Sequence, residues 1–83
     1  MANNVYTDRT QIGEYSLSVQ TSDAHLTCSV ALFHQGVWCK PHTHFPACLE
    51  PFAHLWTGVD GSVAKHVQKN DLTAIMAALK EDL

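Results

Sequence analysis

Tyr15-Ser16-Leu17-Ser18-Val19-Gln20 and Leu26-Thr27-Cys28-Ser29-Val30-Ala31-Leu32 are the stretches that decide the fold. In both, an apolar residue alternates with a polar or small one. Side chains on a strand point to opposite faces in turn, so this period of two predicts two half-buried strands. Between them, Ser22-Asp23 supplies short oxygen-bearing side chains that bond the local backbone in turns. An antiparallel hairpin follows, with Tyr15, Leu17, Val19, Leu26, Cys28, Val30 and Leu32 on its apolar face. Cys28 thereby reads as a small core residue.

Moving outward, Gln35-Gly36 makes the next turn and Val37-Trp38-Cys39 returns as a third strand. Pro41, Pro46 and Pro51 then end the ladder, because proline has no N–H to donate. Residues 46–52 read as a short irregular or helical turn. The rival reading is a helix capped by Thr43, entered at Pro46 and begun afresh at Pro51. Residues 55–67 read as a hairpin about Asp60-Gly61, where glycine accepts positive φ. Upstream, residues 1–14 show little periodicity; Val5 and Tyr6 start an edge strand at most, and Gly13 punctuates. At the other end, Asn70 or Asp71 caps a helix in which Leu72, Ile75, Met76 and Leu79 follow the i, i+3, i+4, i+7 rule. Glu81 and Asp82 oppose the dipole at the end of that helix and favour fraying. The expected architecture is α+β: a small antiparallel sheet of three to five strands with the C-terminal amphipathic helix packed on one face, residues 1–83 forming a single domain.

A chain of 83 residues buries only roughly 60% of its unfolded surface, so its margin of stability is thin. Hydrophobic residues make up 46% and charged residues 16%, the latter below the usual figure of about 25%. A lightly charged surface favours cover by another protein. The net charge is -3, and the five basic residues, Arg9, Lys40, Lys65, Lys69 and Lys80, are scattered. Direct nucleic-acid binding needs several phosphates neutralised together, so this distribution argues against it. Protonating all six histidines would reverse the sign of the net charge, but the preferred reading is ordinary surface and loop histidines and not a pH switch. No secretory signal is visible at the start, and no apolar run approaches the ~20 residues that span a membrane. With three cysteines, the expectation is a cytoplasmic protein with reduced thiols; a Cys39–Cys48 disulfide is the competing possibility in an oxidising compartment.

Cys39, His42, His44 and Cys48 crowd into ten residues, and thiolate plus imidazole is a ligand set zinc prefers. Cys39-x2-His42 has the spacing of a tight chelating turn, and His44-x3-Cys48 has helical i, i+4 spacing. Only Thr43 separates the two halves, where zinc fingers place about a dozen residues. A site of three ligands plus water, or of two with His54 or Glu50, is easier to build. A proline-rich loop with solvent-exposed histidines and a buried thiol explains the same residues without a metal.

Gly36, His42-Thr43-His44, Glu50 and Gly58 also resemble the first motif of the cupin family. The resemblance implies two histidines and a glutamate on barrel strands holding iron, manganese or another divalent ion. Five residues precede Glu50 where the family places three or four, the second cupin motif has no match, and the resemblance covers residues 36–58 only.

No phosphate loop, dinucleotide fingerprint, nucleophile elbow or metalloprotease motif is present. A reactive Cys–His pair is met in residue type alone, with no oxyanion or orienting group at useful spacing. No catalytic residue is assigned. Trp38, Phe45, Phe52 and Trp56, with Leu49 and Leu55, instead concentrate apolar area in a proline-stiffened stretch. Filling the core is the plain explanation for them; a rigid protein-binding patch is the functional one. The leading expectation is a non-enzymatic protein-binding module, an inhibitor or regulator with residues 38–56 as its contact surface. Phage-encoded inhibitors of host enzymes and of bacterial immunity belong to this size class. A small zinc or cupin-like metal-binding domain is the alternative, and a homodimer formed through a sheet edge or the aromatic patch is the third.

Overall fold

The computed structural model describes residues 5–22, 27–41, 43–58 and 60–83. Along the chain, β1 (Val5–Ile12), β2 (Tyr15–Ser22), β3 (Thr27–His34) and β4 (Val37–Trp38) lead into a 3₁₀ helix (Ala47–Leu55). Strand β5 (Ala64–Gln68) and helix α1 (Lys69–Glu81) follow. The alternation that begins at Tyr15 becomes the centre of the sheet. Leu17 faces Leu32 and Val19 faces Val30 across the antiparallel β2–β3 pair. Leu17, Val30 and Leu32 are fully buried, each contributing roughly 1.5–3 kcal/mol by its removal from water. Cys28 is a core residue, its thiol donating to the Val67 carbonyl at 3.4 Å. The expected Ser22-Asp23 turn and Leu26 fall largely outside the described residues.

Strand β1 is longer than the sequence predicts. It pairs with β2 along its whole length, from Val5↔Ser22 to Ile12↔Tyr15. Only Ile12 of its eight residues is buried, so the strand lies at an edge with both faces wet and carries no alternation to read. Gly13 (φ +60) opens the β1–β2 turn in a conformation that side chains resist. The tip of the exposed Leu83 side chain occupies the space a Cβ would take there.

On its other side β3 is shared. Phe33 and His34 pair with Trp38 and Val37, while Thr27, Cys28 and Val30 pair with Gln68, Val67 and Ala64. The uneven step between the last two pairs sets both Lys65 and His66 opposite Ser29, a β-bulge, and His66 takes φ 58 to accommodate it. The expected hairpin over 55–67 is corrected in part. Asp60 (φ 56) and Gly61 (φ 86) do turn the chain, and Gly58 bridges Val63. The first arm, however, starts inside the 3₁₀ helix, which ends at Leu55, and β5 pairs with β3. The reason is visible at Leu49, Phe52 and Leu55. Their spacing of three matches the three residues per turn of a 3₁₀ helix and sets them on one face; Leu49 is fully buried and the other two pack on the core. Pro51 lies inside this helix, and Thr43 does not cap it.

Helix α1 begins two to three residues earlier than expected. Gln68 takes the cap position without a side-chain hydrogen bond, and Asn70 and Asp71 fall in the first turn. The 3₁₀ helix and α1 cover one face of the sheet, where Leu49, Ile75 and Leu79 join Leu17, Val30, Leu32 and Val67 in the core cluster. Ser16, Ser18, Gln20, Ser29, Ala31 and Phe33 point to the opposite face. Among the described residues, neither helix covers them.

Candidate functional site

The cysteine–histidine run does not converge. Cys39 has no exposed surface; its backbone N–H continues the β3 ladder to Leu32 O at 2.8 Å, and its side chain turns into the core. Burial pushes its thiol up from the ordinary value, against a smaller lowering by a backbone hydrogen bond at His34. Cys48 is half-buried in the first turn of the 3₁₀ helix, and its thiol is also raised, first by burial and then by the Asp82 carboxylate. A zinc ion would have to displace both protons. His44 is exposed in a turn that precedes the helix, so it and Cys48 do not share one helical face. His42 lies outside the described residues. Among the described residues, no three His, Cys, Asp or Glu side chains stand close enough to hold a metal ion. Glu50 is exposed on the 3₁₀ helix and His44 lies in a turn, so neither stands on a strand as the cupin resemblance implies. The three cysteines are free thiols.

The four aromatic residues separate into two groups. Trp56 is 4% exposed and belongs to the core, with Phe45 set edge-on against it at 4.9 Å between ring centroids. Phe45 and Phe52 are half-buried and pack on the same cluster. Trp38 is different. It sits opposite Phe33 in the β3–β4 register, so its side chain lies on the open face of the sheet. The two rings are 5.4 Å apart and tilted by 35°. The Trp38 indole N–H donates to Ser62 O at 2.7 Å, and the residue remains 42% exposed. A shallow cavity of about 230 Å³ lies beside it, floored by Ser18, Gln20, Ser29 and Ala31 and walled by Phe33, Trp38 and Val63.

Sequence reading gave no weight to Phe33 as the partner of Trp38. The signal was available: a two-residue turn at Gln35-Gly36 forces His34 opposite Val37, and Phe33 opposite Trp38 follows by one step. Nor did it pair the turns at Glu14 and Gln35. Gln35 N–H donates to Glu14 O at 3.0 Å, and the His34 imidazole lies 3.1 Å from the Glu14 carboxylate and 4.7 Å from the Tyr15 ring. Burial first, then the nearby Asp82, raises the Tyr15 hydroxyl. The Glu14–His34 pair is solvent-exposed, an arrangement worth little to stability.

No family model matches the chain, and neither a curated protein nor a solved structure matches it significantly. Among the described residues, no helix is long and apolar enough to cross a membrane.

Proposed function

We propose that this chain is a non-enzymatic protein-binding module, a small inhibitor or regulator of a larger protein, and that Trp38 is the centre of its contact surface. The observation that supports this is the way Trp38 is held. Its ring is fixed by Phe33 and by the hydrogen bond to Ser62, yet 42% of its surface stays in water. A ring that is ordered before binding loses little entropy on contact and brings large apolar area with it. The small side chains beside it allow a partner to approach the sheet closely.

The state of the thiols points the same way. A cysteine nucleophile needs a lowered pKa, whereas Cys28, Cys39 and Cys48 are all raised by burial. The proposed place of action is the cytoplasm, where such thiols stay reduced.

The test is co-purification of tagged protein from its own cells, comparing wild type with Trp38→Ala and with Ala31→Lys, which places a charge on the open face. The proposal expects one partner retained in stoichiometric amount by wild type and lost by both variants while their circular dichroism is unchanged. Retention of that partner by both variants would overturn it.

A further inference from the structure

The charges of this chain are scattered in sequence but sorted in space. Residues opposite each other on antiparallel strands share a face, so Arg9, opposite Ser18, stands on the open face of the sheet. On the β5 side, the bulge sets Lys65 and His66 opposite Ser29. Both are exposed, and both line a cavity of about 310 Å³ with Val5, Gln20 and Ser29. Gln20 and Ser29 also floor the cavity beside Trp38, so the two form one trough across the open face. The bulge decides this arrangement. Without it, His66 would take the inward place that the fully buried Val67 fills. With it, His66 is held at φ 58, a strained conformation, and two basic side chains in a row face outward.

Every described acidic residue lies elsewhere. Asp8 is opposite Val19 and so on the helical face. Glu14 sits in the β1–β2 turn against His34, and Asp60 lines a cleft on the helical side with Lys40 and Trp56. Glu50 is on the 3₁₀ helix, Asp71 and Glu81 are on α1, and Asp82 is at its end. Asp23 lies outside the described residues. In a chain of net charge -3, the open face thus carries Arg9 and Lys65 with no carboxylate among the described residues. Neither cation makes an ion pair there.

We propose that the partner lays an acidic polypeptide segment in this trough, its carboxylates meeting Arg9 on one rim and Lys65 on the other, and an apolar residue meeting Trp38. Such a partner deepens the protein-binding reading, on which it rests. The rims are three strand spacings apart, about 14 Å, room for one extended chain or one helix of about 10–12 Å. A nucleic-acid strand suits the face less well. It carries a charge at every nucleotide and needs several neutralised together, and Phe33 and Trp38 pack on each other instead of offering separate platforms to successive bases.

The test titrates the ¹⁵N-labelled full chain at low ionic strength with three probes: a capped peptide of glutamates flanking leucines, its glutamine analogue, and oligothymidylate. The expected result is saturable movement of the Trp38 indole and of the Ser18, Ser29 and Ala31 amides with the glutamate peptide. The Trp56 indole and the α1 amides should stay still. The glutamine analogue should bind roughly tenfold more weakly, the combined value of two exposed charge pairs. Arg9→Gln with Lys65→Gln should weaken the glutamate peptide by the same factor. Lys69→Gln with Lys80→Gln, which removes equal charge from α1, should leave its affinity unchanged. Unmoved open-face signals, equal loss in the two double variants, or tighter binding of oligothymidylate would overturn the proposal. Equal binding of both peptides at Trp38 would overturn the acidic partner yet keep the contact surface. Failure of the protein-binding reading itself shows separately, as retention of the co-purified partner by Trp38→Ala.

Discussion

Replacing Trp56 with alanine and replacing Trp38 with alanine should have different consequences for the fold, although the two residues look alike in sequence. Trp56 is 4% exposed and packed edge-on by Phe45, so Trp56→Ala empties a core site at a cost of about 3–5 kcal/mol. Trp38 makes two resolvable interactions. Its cross-strand contact with Phe33 is worth up to about 1 kcal/mol, and its neutral hydrogen bond to Ser62 about 1 kcal/mol. Trp38→Ala should therefore cost about 2 kcal/mol, and Trp38→Phe, which keeps the ring contact, about half of that. A chain of this length has roughly 4–12 kcal/mol of stability in all, so Trp38→Ala remains folded while Trp56→Ala approaches the limit. Urea titration followed by far-ultraviolet circular dichroism reads this without relying on tryptophan emission. At a slope near 1 kcal/mol/M, the low end for small proteins, the midpoint falls by about 2 M for Trp38→Ala and by 3 M or more for Trp56→Ala. Equal losses in the two variants would refute the assignment of Trp56 to the core and of Trp38 to the surface.

Three further outcomes are expected. Stability should hold level through neutral pH and fall as pH rises past 9.0, the ordinary value from which burial raises Cys28, Cys39 and Cys48: there the unfolded chain gives up thiol protons that the fold retains, and a stability that climbs above that pH in denaturant titrations would contradict the buried thiols. Gly13→Ala should lower stability by roughly 1–2 kcal/mol, since the turn holds this residue at φ +60, and an unchanged melting temperature would refute that turn conformation. Self-pairing of β1 about a two-fold axis normal to the sheet must match residues of one face, and the two registers that use most of the strand set Asp8 against Asp8 or Arg9 against Arg9; replacing both by threonine should raise the mass seen by light scattering at high concentration, and unchanged scattering would show that these charges do not guard the edge.

The legible parts of the fold are those where burial wrote a period into the sequence. Leu17, Val19, Val30 and Leu32 alternate because one side of β2 and β3 is dry, and Leu72, Ile75 and Leu79 repeat because one stripe of α1 is. Strand β1 was nearly invisible because water reaches both its faces and only Ile12 reports its position. The 3₁₀ helix runs three residues past the helical turn expected over 46–52, because the spacing of three at Leu49, Phe52 and Leu55 competes with the strong turn signal of Asp60-Gly61, and both are true of adjacent segments. Strand β5 was found as a run but not by its partner, since the bulge at Lys65 and His66 breaks its alternation.

The site was less legible than the fold. Composition drew attention to Cys39, His42, His44 and Cys48, whose proximity along the chain does not survive folding among the described residues: the thiol of Cys39 turns inward while His44 faces water. Clustering of Trp38 with Trp56 in sequence likewise concealed that strand parity sends the first to the open face, whereas the apolar residues around the second draw it into the core.

Native mass spectrometry of untagged protein isolated from its own cells, run on wild type and Trp38→Ala side by side, examines the contact-surface claim most directly. The account predicts a stoichiometric complex with one other polypeptide for wild type and the free chain for Trp38→Ala. Wild type found only as the free chain, or a complex that survives Trp38→Ala intact, would contradict it.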